Sequence, residues 1–295
     1  MTPRFGRVLT AMISPFTKDD ELDVEGAQRL AKWLVEQGNE GLVIAGTTGE
    51  SPTLTHEEQI ELIAAVIEAV DVPVIAGAGS NDTKAAVELT ESCTDVGASG
   101  ILTVTPYYNR PSQQGLIAHF SAIANSTNLP VMLYDIPVRS GRKIDTSTIL
   151  QLADEVENIV ALKDAAGDVA ETARLIAAAP EGFEVYSGED SLTLSLLSVG
   201  AVGTVSVASH WSTPETVDLM KAFFSGDFIR ALETNRRLIP SYDFESGDLT
   251  PNPIPTKAMM KILNLPGGDC RLPMGPEPEW LAEKARGILS ALGRG

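Results

Sequence analysis

The sequence predicts an α/β chain, a (β/α)8 TIM barrel with a C-terminal helical appendage. Three observations carry that expectation. Short β-rich runs alternate with longer helical patterns at a spacing of about 25–30 residues. There are eight such runs, and eight β-then-α units in about 225 residues match the size of such a barrel. No glycine-rich phosphate loop follows the first run, Leu9-Thr10-Ala11-Met12-Ile13-Ser14-Pro15, as it would in an open doubly wound sheet. The expected organisation is a barrel over residues 1–225 that carries the site and a helical region over residues 226–295.

In chain order the β-rich runs are Val8–Ile13, Gly41–Ala45, Val72–Ala76, Gly100–Val104, Val131–Tyr134, Ile159–Leu162, Phe183–Tyr186 and Val202–Val207. Their nearly unbroken apolar character suits parallel strands buried on both faces. Between them the helical patterns are Val24–Gln37, Thr55–Val70, Asp82–Val96, Gln113–Thr127, Thr146–Val156, Asp168–Ala178 and Leu192–Ser198. In the second, Thr55 and Glu58 form a capping-box pair. Ile60, Ile63, Ile67 and Val70 fall on one stripe, with Glu57, Glu61 and Glu68 off it. Asp168 and Glu171 repeat the cap. Gly41, Gly100 and Gly203 each follow a helix end, where glycine stops a helix. After Pro214–Ser225 the alternation ends, and Asp227–Ile239, Thr256–Leu263 and Glu279–Leu292 read as helices separated by joints such as Pro251-Asn-Pro-Ile-Pro255.

The 295 residues carry a net charge of −18 with no Lys/Arg-rich run, which excludes a nucleic-acid surface. So acidic a chain must hold an anionic substrate locally, by an arginine, a lysine or aimed backbone amides. Cys93 and Cys270 are far apart, the pattern of free thiols in a reducing compartment. His56, His119 and His210 fall at no metal-ligand spacing, so neither a metal nor a cofactor is expected. No apolar run approaches the length that spans a bilayer, and the expected location is the cytoplasm.

In a barrel, residues just after each strand share one catalytic rim. The sixth run ends in Lys163, within Asn158-Ile-Val-Ala-Leu-Lys-Asp-Ala-Ala-Gly167. A lysine desolvated at that rim retains neutral amine, which attacks a carbonyl carbon to form a Schiff base; the alternative is a solvated strand-end lysine. Gly46-Thr47-Thr48-Gly49-Glu50-Ser51 offers hydroxyls and exposed amides suited to a small carboxylate, or a plain turn. Thr105-Pro-Tyr107-Tyr108-Asn-Arg-Pro111 holds paired phenols, for catalysis or for an oligomer contact. Tyr134 and Arg139, five residues apart, suit proton transfer and carboxylate recognition. Ser187-Gly188-Glu189-Asp190 ends the seventh run, and Gly203-Thr-Val205-Ser206 is small enough for a backbone to approach a ligand.

These motifs, with Leu133-Tyr-Asp-Ile-Pro137 and Ala161-Leu-Lys-Asp164, resemble the dihydrodipicolinate synthase family of the class I aldolase superfamily, which also contains N-acetylneuraminate lyase. The resemblance runs from Val8 into the appendage. It implies a 4-hydroxy-tetrahydrodipicolinate synthase reaction, in which pyruvate held as a Schiff base condenses with L-aspartate 4-semialdehyde on the route to diaminopimelate and lysine. By the resemblance, Lys163 binds pyruvate, Tyr134 shuttles protons above it, and Thr47 links Tyr134 to Tyr108. Tyr108 is then supplied by a neighbouring subunit of a homo-oligomer, a tetramer built as a dimer of dimers. Thr48 and Thr47 amides and the Val205 carbonyl hold pyruvate, Arg139 pairs with the second substrate's carboxylate, and Gly188 lies near that substrate. Ser51, His56, Asn81 and Tyr107 match a lysine effector pocket at the dimer interface. Two positions depart from its lysine-sensitive form, Gln59 for a histidine and Ala85 for a glutamate, which implies weak or absent inhibition by lysine. Asp135 and Asp164 replace a common Asn and Glu. The nearest alternative is another Schiff-base lyase of the superfamily acting on a sugar acid. Thr47-Thr48 and Arg139 favour the synthase. A silent, non-catalytic relative would not require Lys163, Tyr134, Thr47 and Tyr108 together.

Overall fold

Eight parallel strands close on themselves in sequence order in the computed structural model, which describes residues 2–294. They are β1 (Val8–Ala11), β2 (Gly41–Ile44), β3 (Val74–Gly77), β4 (Gly100–Val104), β5 (Val131–Asp135), β6 (Ile159–Asp164), β7 (Glu184–Ser187) and β8 (Gly203–Ser206). β8 returns to β1 with Leu9 opposite Val205, so the sheet has no unpaired edge. Successive side chains on a strand face opposite ways, and two layers of core result. Leu9, Val43, Ile75, Met132, Tyr134, Ala161, Tyr186 and Val205 fill the barrel interior. Leu42, Leu133, Leu162 and Val185 belong to the outer core shared with the helices. Burial on both faces is why the strands read as continuous apolar runs.

The helices are α1 (Val24–Glu36), α2 (His56–Ala69), α3 (Thr83–Asp95), α4 (Gln113–Asn125), α5 (Pro137–Ser140), α6 (Thr146–Glu155), α7 (Val169–Ala178), α8 (Thr193–Ser198) and α9 (Ser209–Phe224), followed by α10 (Phe228–Glu245), α11 (Ile254–Ile262) and α12 (Glu279–Ala291). The Thr55–Glu58 capping box is present at the start of α2. The stripe on α2 differs from the expected one. Its buried residues are Gln59, Leu62, Ile63, Ala65 and Val66, while Ile60, Ile67 and Val70 are only partly buried against the outer core. The apolar set chosen from sequence contained neighbours of the true stripe, because nearly every position of Ile60–Val70 except the glutamates is apolar. The sixth strand also runs two residues further than expected, through Lys163 and Asp164.

Gly203 is required by close packing. A Cβ there would lie 2.4 Å from the Arg7 carbonyl oxygen, so glycine is needed where β8 closes against the chain entering β1.

α10 was expected to end at Ile239, before Pro240. It continues to Glu245, because the proline removes only one helical N–H while Leu238, Ser241, Tyr242 and Phe244 beyond and before it are buried. Leu238, Tyr242, Ile254, Met259, Leu281 and Ile288 join the same outer core as the barrel residues, and the indole N–H of Trp211 on α9 donates to Ser241 Oγ at 3.0 Å. Among the described residues no helix is long and apolar enough to cross a membrane.

Candidate active site

At the carboxyl ends of the strands lies a cavity of about 450 Å³, with Thr47, Thr48, Tyr134, Arg139, Lys163 and Gly188 in its wall. Strand register explains the meeting at its centre. Lys163 on β6 pairs with Tyr134 on β5 and with Tyr186 on β7, so all three side chains enter the barrel. Lys163 is 5% exposed, and its Nζ sits 4.1 Å from the centroid of the Tyr134 ring. No carboxylate lies within salt-bridge reach of it among the described residues. An amine without an ion-pair partner, shielded and facing a cavity, is free to react with what enters. Gly188 protects that geometry. A Cβ on it would lie 2.8 Å from Lys163 Cγ and 3.0 Å from Cε, so any side chain here displaces the lysine stem.

The Thr47–Thr48 turn follows β2 and is closed by Glu50 N donating to Thr47 O and Ser51 N donating to Gly46 O. Thr48 Oγ1 accepts from Asn252 Nδ2 at 2.9 Å, which joins the turn to the segment before α11. Thr47 and Tyr134 also face a second space of about 30 Å³ that Ser51 borders, room enough for a water. Glu50 adopts the left-handed conformation, φ 55°. Its carboxylate is buried, 2.6 Å from the equally buried Lys257 Nζ, and accepts from Arg271 N at 2.9 Å.

Arg139 sits on the one-turn helix α5 and reaches the cavity mouth. It is exposed and has no acidic partner among the described residues, so its charge is available to a ligand carboxylate. Behind this segment, on the outer face of the barrel, Asp135 Oδ1 accepts from Ile144 N at 3.1 Å and Oδ2 lies 3.7 Å from Lys143 Nζ. Burial pushes the Asp135 carboxyl up to about 7, with Asp164 and Glu171 adding to the rise and the Ile144 N–H and Lys143 opposing it. Asp164 accepts from Ala166 N at 2.9 Å and from Thr172 Oγ1 at 2.5 Å.

Two expected members stand apart from the cavity. Tyr108 is 90% exposed and holds φ at +72°, an unfavourable conformation for a bulky residue. Its backbone N donates to Ser140 O at 3.3 Å, and its side chain does not belong to the cavity of its own chain. Val205 packs inside the barrel with Tyr134, and Val207, two residues on, supplies the eighth strand's part of the wall. Of the expected effector residues, Asn81 Nδ2 donates to Tyr107 O at 3.1 Å. Ser51 O accepts from Gln59 Nε2 at 3.0 Å, and His56 is exposed on the first turn of α2.

Sequence reasoning missed Asn252 and Glu245, which also line the cavity, and set Glu189 on the rim without a role. The signal for Asn252 was present, a lone amide among the prolines of Pro251–Pro255, but it read as a joint. Glu245 went unseen because its helix seemed to stop before Pro240. His210 was weighed only as a metal ligand. It is instead a structural link, fully buried, with Nε2 accepting from Ile13 N at 3.1 Å and Nδ1 donating to Val207 O at 2.8 Å, and burial pulls it down to about 4.

Comparison with known proteins agrees with this arrangement. The profile of the Dihydrodipicolinate synthetase family matches residues 4–292. The 4-hydroxy-tetrahydrodipicolinate synthase of Moorella thermoacetica is 47% identical over 292 residues, covering 98% of this chain and 99% of that one. Among solved structures, the dihydrodipicolinate synthase of Cyanidioschyzon merolae, determined with lysine bound, superposes with a TM-score of 0.97 at 42% identity and full coverage of both chains. That of Bacillus anthracis gives 0.94 at 42% identity, covering 98% of this chain and 99% of the other. Sequence, barrel and rim therefore agree, and the chain belongs to the dihydrodipicolinate synthetase family.

Proposed function

We propose that this enzyme condenses pyruvate with L-aspartate 4-semialdehyde to give 4-hydroxy-tetrahydrodipicolinate, a hydro-lyase reaction run through a Schiff base on Lys163. The observation that carries the reading is the buried Lys163 Nζ, which faces the cavity without an ion-pair partner and lies 4.1 Å from the centroid of the Tyr134 ring.

The neutral amine attacks the keto carbon of pyruvate, and the carbinolamine loses water to give a protonated imine. Its nitrogen draws electrons, so a methyl proton leaves and an enamine forms. The enamine carbon attacks the aldehyde of the second substrate, whose carbonyl oxygen takes a proton. The substrate's own amine then adds to the imine carbon and displaces Lys163, closing the ring and freeing the enzyme. Tyr134 is the phenol nearest the amine and serves the proton moves. The Thr47–Thr48 turn holds the pyruvate carboxylate, and Arg139 at the mouth takes the carboxylate of the semialdehyde. Tyr108 completes the relay from a second subunit, which makes the working form a homo-oligomer, a dimer of dimers.

Sodium borohydride added with pyruvate tests the reading. Reduction should fix a three-carbon adduct on the peptide containing Lys163 and abolish turnover. A label on another peptide, or no label, removes the mechanism.

A further inference from the structure

We propose that Glu245 is a specificity-determining residue that pairs with the ammonium group of the second substrate, so that the site selects an aldehyde carrying an α-amino group. The inference rests on the reading of the site given above and adds a residue to it.

Glu245 is the last residue of α10 and lines the cavity that holds Lys163 and Arg139. It is 7% exposed, and its Oε2 has no hydrogen-bond partner. No lysine, arginine or histidine lies within salt-bridge reach of its carboxyl among the described residues. One oxygen of this buried carboxyl is unpaired, which is costly, and the side chain it does meet is the Asp190 carboxyl, which makes ionisation harder still. Burial holds Glu245 well above the usual carboxylate range, and the neighbouring Asp190 and Glu189 push the same way. Asp190 accepts from Val207 N at 2.7 Å and from Ala208 N at 2.9 Å. Burial and these two acids therefore favour the neutral form of Glu245 unless a cation is placed beside it.

The second substrate can supply such a cation. Pyruvate brings one carboxylate and no positive charge. An amino acid aldehyde brings both signs, and the cavity offers Arg139 for its carboxylate and Glu245 for its ammonium. When the ammonium enters, Glu245 releases its proton to solvent and the charge-assisted hydrogen bond takes its place. An aldehyde without the amino group leaves Glu245 protonated and gains nothing from it.

Succinate semialdehyde, which has the same aldehyde and carboxylate and no amine, supplies the test. The Michaelis constant for aspartate semialdehyde is compared with the inhibition constant of succinate semialdehyde, in the wild type and in Glu245→Gln. Glutamine keeps a side-chain donor for Asp190 and cannot become charged. The wild type should favour the amino aldehyde by about tenfold or more. In Glu245→Gln that preference should fall to about twofold or less, with the pyruvate constant and the borohydride adduct on Lys163 unchanged. Equal affinities in the wild type overturn the proposal, and that measurement holds even if the variant fails to fold. A preference that survives in Glu245→Gln, or an equal weakening of both aldehydes, overturns it too and leaves Glu245 a structural acid. Failure of the wild type to trap pyruvate on Lys163 is a separate outcome, and it counts against the reading of the site itself.

Discussion

Asp135 and Asp164 stand opposite each other on β5 and β6, one residue beyond the Tyr134–Lys163 pair. The alternation of a strand sends Tyr134 and Lys163 inward and the two acids outward. Asp135 is 1% exposed, and burial raises its carboxyl from an ordinary 3.8 to about 7. An acid whose folded value lies above its unfolded one contributes most below the unfolded value, and that contribution is lost as pH rises through the folded value. The relevant window is therefore about pH 4 to 7, with the loss complete above it. Asp135→Asn mimics the protonated form and keeps an oxygen for the Ile144 N–H. It should be more stable than the wild type by about 1–4 kcal/mol at pH 8, and the gap should close near pH 4. Thermal melts of both proteins across that range check it, and parallel profiles would refute the assignment. The pair itself was legible in sequence, since a charged residue ending an apolar run is conspicuous at Lys163. The raised value of Asp135 was not legible, because it depends on burial by the packing of other elements, with Asp164 and Glu171 adding to it.

The turn after β2 presents the two threonines, and it is held from far along the chain. Glu50 pairs with Lys257 on α11, while Arg271 donates to Glu58 Oε1 at 2.6 Å and to Thr53 O at 2.9 Å. Lys257 and Arg271 both lie over the Phe16 ring, at 4.0 and 4.2 Å from its centroid. Removing one member of a buried pair strands the other charge, a cost of about 3–5 kcal/mol, whereas removing both is far milder. Lys257→Met should therefore lower the urea midpoint strongly and raise the Michaelis constant for pyruvate through the loosened turn. Combining it with Glu50→Gln should recover most of the stability. Equal losses in the single and double variants would show that the pair does not hold the turn. Strands and most helices were readable because each depends on its own run of side chains. This strut was not, since Glu50 seemed part of a local Gly–Thr turn and its partner sits more than two hundred residues away. Asn252 stood out as an amide among prolines, but its role lies in a bond to Thr48, also more than two hundred residues away.

One chain brings Lys163, Tyr134, Thr47, Thr48, Arg139 and Gly188 to one cavity and leaves Tyr108 outside its wall. A tyrosine at positive φ and 90% exposure is a strained residue with nothing of its own chain to cover it, and strain of this kind concentrates where a site is assembled. Arg110, two residues on, also has positive φ, at +48°, and Tyr108, Asn109 and Arg110 are all exposed. From sequence the segment fitted catalysis and an oligomer contact equally, and both uses follow if the phenol acts across a two-fold interface. Complementation separates the arrangements. Lys163→Ala and Tyr108→Phe should each be inactive or nearly so as homo-oligomers. Unfolded together, mixed and refolded, they form hybrid pairs in which the chain retaining Lys163 faces a partner that retains Tyr108. Action across the interface then restores one working site per hybrid, about a quarter of wild-type activity for random pairing. If Tyr108 served the site of its own chain, every site in the mixture would lack either the amine or the phenol. Activity would then stay at the level of the separate variants.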